Sequence, residues 1–133
     1  MAGSITESRN TFLGGNMMML KFACVGDGTL GTFPATASAY ATGGYLSRVV
    51  VDPGATPPDA AFDITITDVT GVDLMGGKLA NLSETNTFET PPYYSDAALY
   101  GDKPFMGALT ITITGNTAIN AIIDIYVFVR VKD

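Results

Sequence analysis

The reactive side chains of this chain are few and scattered. Its 133 residues include no histidine and one cysteine, Cys24. Without histidine there is no serine–histidine or cysteine–histidine nucleophile pair, and the commonest metal ligand is missing. Cys24 lies in a strand-like stretch with no pair of cationic neighbours to depress its pKa, so it reads as an inert core thiol. As a lone cysteine it makes no internal disulfide. The carboxylates Asp63, Asp68 and Asp73 recur at every fifth position. An odd spacing throws successive strand side chains to opposite faces, which suits turns and solvent better than a general acid–base pair. A calcium ion between Asp68 and Asp73 is disfavoured, because the loop lacks the acidic density of calcium motifs. The chain is therefore expected not to be an enzyme, with no catalytic residue, no cofactor site and no metal site.

The run Gly26-Asp27-Gly28-Thr29-Leu30-Gly31 has the spacing G-x-G-x-x-G, and Asp52 follows about twenty residues later. The dinucleotide fingerprint needs its third glycine to open a helix whose N-terminus holds the pyrophosphate. Here Thr29 to Tyr45 contains Pro34, Gly43, Gly44 and many small or β-branched residues, a poor helix. Asp27-Gly28 is better explained as a hairpin turn, where glycine tolerates positive φ.

Two stretches carry side chains suited to contact rather than reaction. Pro91 to Phe105 holds Tyr93, Tyr94, Tyr100 and Phe105 between Pro91-Pro92 and Pro104. Tyrosine offers apolar area and a hydroxyl at low entropic cost, which suits protein interfaces and sugar platforms alike. Such a loop either folds its aromatics back on its own domain, meets a subunit, or meets a ligand. The second stretch is Met17-Met18-Met19. Its methionines are gap-filling core or an adaptable contact surface. The interface residues named from sequence are Met17, Met19, Tyr93, Tyr94, Tyr100 and Phe105.

The elements that must position these groups read as strands. From Asn16 to Val25, Met18, Leu20, Phe22 and Cys24 share one face, and Met17, Met19 and Lys21 the other. Apolar residues on both faces imply cover on both. Thr29 to Tyr40 is expected to return as a strand, with Ala41 to Gly44 as a loop. Leu46 to Val51 and Phe62 to Thr67 form two strands joined by a corner built on Asp52-Pro53-Gly54 and Pro57-Pro58-Asp59. Proline fixes φ and removes a donor there, so no crossover helix can form. Asp68 to Gly71 turns the chain into Val72-Asp73-Leu74 as a third strand. A less regular section follows Gly76-Gly77, with a short strand over Thr85 to Glu89. Leu109, Ile111 and Ile113 alternate with threonines. Last, Ile122 to Lys132 places Ile123, Ile125, Val127, Val129 and Val131 on one face, and its length marks it as the central strand. The whole reads as one all-β domain, an antiparallel β-sandwich (jelly-roll or immunoglobulin-like) over residues 16–133. Residues 1–15 are expected as a mobile N-terminal arm or a short edge strand.

Composition narrows the partners. Hydrophobic residues make up 47% of the chain and charged ones 15%, against about 25% charged in ordinary globular domains. The polar faces are thus expected to be mostly threonine and serine, and part of the surface to lie against partner subunits. A net charge of −6, with seven scattered basic residues, argues against nucleic acid. MAGSITESRN lacks the basic start and apolar run of a signal peptide, and no stretch approaches the roughly 18 apolar residues of a membrane span. Synthesis in the cytoplasm and no membrane partner are the expectations.

The segments Val50-Val51-Asp52-Pro53-Gly54-Ala55-Thr56-Pro57-Pro58, Phe62 to Asp68, Gly71-Val72-Asp73 and Leu79-Ala80-Asn81 resemble small structural proteins of tailed bacteriophages. Those carry a "DPGATPP…YDITLTD..GVD…LAN" stretch, a "GPLTL" strand and a final apolar strand. Gly107 to Ile111 and Ile122 to Val131 occupy the last two places here. The resemblance runs from Leu46 to the end, about two-thirds of the chain, and does not cover the first 45 residues or the Pro91 to Phe105 loop. It implies a virion component on the capsid exterior, a decoration (cement) protein seated as a homotrimer on the major capsid protein and stabilising the head. Two alternatives stand beside it: a neck, tail or fibre-base component, and a host-glycan-binding module using Tyr93, Tyr94 and Tyr100.

Overall fold

The computed structural model describes residues 1–131, and among them every regular element is a strand. They are β1 (Ser4–Phe12), β2 (Met17–Val25), β3 (Thr36–Ala37), β4 (Gly43–Pro53), β5 (Asp63–Thr67) and β6 (Phe88–Thr90), then β7 (Tyr93–Tyr94), β8 (Leu99–Tyr100), β9 (Lys103–Met106), β10 (Thr110–Thr114) and β11 (Ile122–Arg130). All pairings are antiparallel. A six-stranded sheet runs β1-β2-β11-β4-β6, with β9 pairing farther along β4; a three-stranded sheet runs β3-β10-β5; β7 and β8 make a separate ribbon.

The two sheets share one core, filled by the alternation read from sequence. In β2, Met18, Leu20, Phe22 and Cys24 point inward; in β11, Ile123, Ile125, Val127 and Val129 do. β11 is flanked by β2 and β4, so it is the central strand. The smaller sheet contributes Ile64 and Ile66 opposite Ile113 and Ile111, while Thr65 and Thr112 pair on its other side. Along β4 both Leu46 and Val49 are buried, a spacing of three that breaks strict alternation. A bulge resolves it, since Phe128 faces Arg48 but Val129 faces Leu46, leaving Ser47 unpaired with β11.

Several expectations need correction. Of the two readings of residues 1–15, a mobile arm or a short edge strand, the arm gives way to the strand: Ser4–Phe12 is a nine-residue edge strand laid along all of β2. Of Thr29 to Tyr40, only Thr36–Ala37 is strand, and it pairs with β10. Both edges of β2 are already taken by β1 and β11, so no return hairpin is possible there. The turn at Asp27 survives in another form: its carboxylate accepts from Thr29 N and Leu30 N. Val72-Asp73-Leu74 is reduced to one bridge, Thr67 with Asp73, because the Asp73 carboxylate gathers the N–H groups of Ile66, Met75 and Gly77 into a coil. The short strand expected over Thr85 to Glu89 lies at Phe88–Thr90. The irregular stretch before it proves structural in part: Leu79 and Leu82 are core, as are Leu74 and Met75 just ahead of Gly76-Gly77. Val131 lies beyond the end of β11 and is exposed, and Lys132 is outside the described residues.

Candidate functional site

The six-stranded sheet buries one face against the smaller sheet and leaves the other half-exposed along β2 and β11. Register across this outer face sets Met19 beside Phe128, and Phe128 beside Arg48; the next row sets Met17 beside Arg130, and Arg130 beside Tyr45. Phe12 meets Phe128 edge to face, with centroids 6.4 Å apart. Cations lie over the rings: Arg48 is 4.9 Å from the Phe128 centroid and Arg130 4.7 Å from that of Tyr45. Arg48 also pairs with Glu89 at 2.6 Å, and Lys21 reaches Asp124 at 3.9 Å. The result is a flat field of methionine and aromatic side chains ringed by both signs of charge. Stacking on rings holds the arginine stems down and keeps the apolar area accessible.

The aromatic segment forms the β7–β8 ribbon, which is linked to this face through Asp102 and Arg130. Tyr93 and Tyr100 pack with their rings tilted at 55° and centroids 4.7 Å apart, and the Lys78 ammonium sits 4.4 Å from the Tyr93 ring. Gly76 makes this possible. At its φ of 59° a Cβ would lie 2.4 Å from the Tyr93 carbonyl oxygen, a distance no side chain tolerates. Tyr94 Oη donates to the Asp102 carbonyl at 3.0 Å, and the Asp102 carboxylate lies 3.4 Å from Arg130. That chain of contacts ties the ribbon to the methionine row.

Between the ribbon and the turn after β5 lies a cleft of about 330 Å³, lined among others by Asp68, Thr70, Tyr94, Asp96 and Lys103. Lys103 is only 7% exposed, with its ammonium 4.6 Å from the Tyr94 ring. Burial lowers its pKa, while the charges of Asp73 and Asp96 work against that. Partial burial pushes the Asp68 carboxyl upward, but Thr70 Oγ1, Met106 N and Thr70 N all donate to it and hold it below the ordinary carboxylate range. A carboxylate so engaged is a poor base. Asp63 accepts from Asn81 N, so all three regularly spaced acids serve backbone donors. Cys24 is fully buried, and burial, with Asp124 nearby, pushes its thiol up to about 12. Among the described residues no three of histidine, cysteine, aspartate and glutamate come together.

Of the six residues named from sequence, Met17 and Met19 lie on the outer face, and Tyr93, Tyr94 and Tyr100 on the ribbon beside it. Phe105 is a correction: at 6% exposure it is part of the core, because β9 pairs with β4 and turns that side chain inward opposite Gly44. Sequence reasoning passed over Phe12, Tyr45, Arg48, Phe128 and Arg130. Phe128 and Arg130 were visible on the polar-and-aromatic side of the last strand, but Phe12 lies on β1 and Tyr45 and Arg48 on β4, and which strands flank β11 decides that they meet. The glycine motif opens no helix; Gly31, with φ at 75°, instead packs so that a Cβ would lie 2.4 Å from the Thr117 backbone. Compared with known proteins, the chain matches no family model, no curated protein and no solved structure.

Proposed function

We propose that this chain is a virion structural protein of a tailed bacteriophage, a capsid decoration protein that binds the major capsid protein lattice and stabilises the head without catalysing a reaction. The observation that carries the reading is the outer face of the six-stranded sheet, where Met17, Met19, Phe12 and Phe128 form an apolar field rimmed by Arg48, Arg130, Glu89 and Asp124. Such a surface fits a protein partner, which needs an apolar centre and a polar rim over roughly 800 Å² per side. The resemblance to small phage structural proteins, which runs from Leu46 to the end apart from the Pro91 to Phe105 loop, supplies the virion context. A protein that binds only the assembled shell stabilises it by mass action.

Quantitative mass spectrometry of purified particles tests this directly. Hundreds of copies per virion, and heads that rupture at lower temperature without the protein, are expected. About a dozen copies or fewer would instead favour the neck, tail or fibre base. Met19→Glu and Phe128→Glu variants that fold but no longer bind empty heads would place the contact on this face; full binding by both would remove it.

A further inference from the structure

We propose that β1 pairs with β1 of a second copy about a two-fold axis at Ser8, joining two six-stranded sheets into one. This inference does not depend on the capsid reading. β1 is the end strand of its sheet, with β2 on one side and nothing hydrogen-bonded to its backbone on the other among the described residues. Its sequence, SITESRNTF, has neither proline nor glycine, and most of it is exposed. Long edges are normally blunted by proline, a bulge, a covering loop or charged side chains, because they invite another strand; β1 carries only the charges, Glu7 and Arg9, on the side it shares with Phe22 and Leu20 of β2.

The charges specify the partner as a second copy. An antiparallel two-fold pairing with its axis normal to the sheet keeps each residue on its own face, so only registers centred on a residue are allowed. The register centred on Ser8 overlaps all nine residues, and it sets Glu7 opposite Arg9 of the partner copy, twice by symmetry. Moving the centre by one residue sets Glu7 against Glu7, or Arg9 against Arg9, and both shifts shorten the overlap. The full-length register is therefore also the attractive one.

The monomer leaves both groups incompletely paired. Glu7 Oε1 accepts from Ala39 N at 2.6 Å, but Oε2 is buried with no hydrogen-bond partner. Arg9 lies 4.8 Å from the Tyr40 ring centroid and joins no ion pair among the described residues. Directly opposed residues on neighbouring strands have Cβ atoms about 5 Å apart, within reach of an arginine and a glutamate. Dimerisation would set the Arg9 guanidinium of the partner copy beside the Glu7 carboxylate, which meets it by turning Oε2 out of its enclosed position. It would also place the two outer faces side by side on the same side of one continuous sheet. A contact of this symmetry closes at two copies, not at the three that the sequence resemblance implies.

Sedimentation of the full chain over a micromolar concentration series provides the test. A dimer of twice 13.9 kDa is expected. Glu7→Lys and Arg9→Glu each oppose like charges at both symmetry-related positions, and each should weaken the dimer roughly ten- to a hundredfold. The decisive arm is the mixture. Glu7→Lys chains mixed with Arg9→Glu chains bring every charge opposite its counterpart, so a heterodimer should form from two populations that are monomeric alone, an outcome misfolding cannot produce. A wild-type chain that stays monomeric, a trimer indifferent to both substitutions, or a mixture that remains monomeric would each overturn the proposal.

Discussion

Asn116 is the place where a single atom exchange should cost most. Its side chain is 8% exposed and ties three loops together. Oδ1 accepts from Asp59 N at 2.7 Å, and Nδ2 donates to Gly31 O at 2.7 Å and to Ala118 O at 3.1 Å. Asn116→Asp keeps the shape and the first bond but turns both donor contacts into oxygen facing oxygen. Two carbonyls lose their donor at about 1–3 kcal/mol each, and a buried charge adds to that, so about 3–5 kcal/mol should be lost at pH 7. Against a typical total of about 5–15 kcal/mol this is severe. The loss should depend on pH in a definite direction. Burial and the two carbonyls raise the new carboxyl's pKa in the folded state above its unfolded value of about 3.9. A raised folded pKa gives stability that is complete below the unfolded pKa and is lost as pH rises through the folded one. The gap between variant and wild type should therefore narrow from pH 7 to pH 4, where the protonated acid donates to one carbonyl. Urea unfolding followed by tyrosine fluorescence at several pH values measures it. A variant as stable as wild type, or a gap that widens in acid, would refute the assignment of Asn116 as the donor that clamps these loops.

Two further outcomes follow from the sheet and from Asp68. Ile125→Ala, at the middle of the central strand and fully buried, should cost about 2–5 kcal/mol, whereas Phe128→Thr on the half-exposed side of the same strand should cost about 1 kcal/mol; chemical denaturation midpoints compare them. Because the Asp68 carboxyl is held below its ordinary range, its contribution is present above the unfolded pKa and fades as pH falls through the folded one. Asp68→Ala should thus be less stable than wild type near neutrality and converge with it in acid, as thermal melts between pH 7 and pH 2 would record.

The strands that do most of the packing were legible in the chain. The two-residue periods of β2, β5, β10 and β11 name their buried faces, and the same residues line the core. Asp27, Asp68 and Asp73, which suit turn and solvent positions, do accept backbone N–H groups in turns and coil, while Asp63 does so from the start of β5. The failures have a common cause. β1 carries a polar sequence with almost no apolar alternation, and it is a strand because β2 offers it an edge of matching length. Leu74 to Leu82 has no periodicity, yet it fills the core because β5 binds it through Ile64 N to Leu79 O and Phe62 O to Leu82 N. Phe105 looked like its tyrosine neighbours until the pairing of β9 with β4 fixed its direction.

Alternation and proline corners are local properties, so they point to the antiparallel all-β class and to the inward residues of β2, β5, β10 and β11 from the sequence alone. Which strand lies beside which is a matter of closing loops tens of residues long, and no short window of sequence carries that information. Only the assembled sheets placed Phe128 between Met19 and Arg48, brought Asn116 to Gly31 across 85 positions, and left β1 at the edge of the larger sheet.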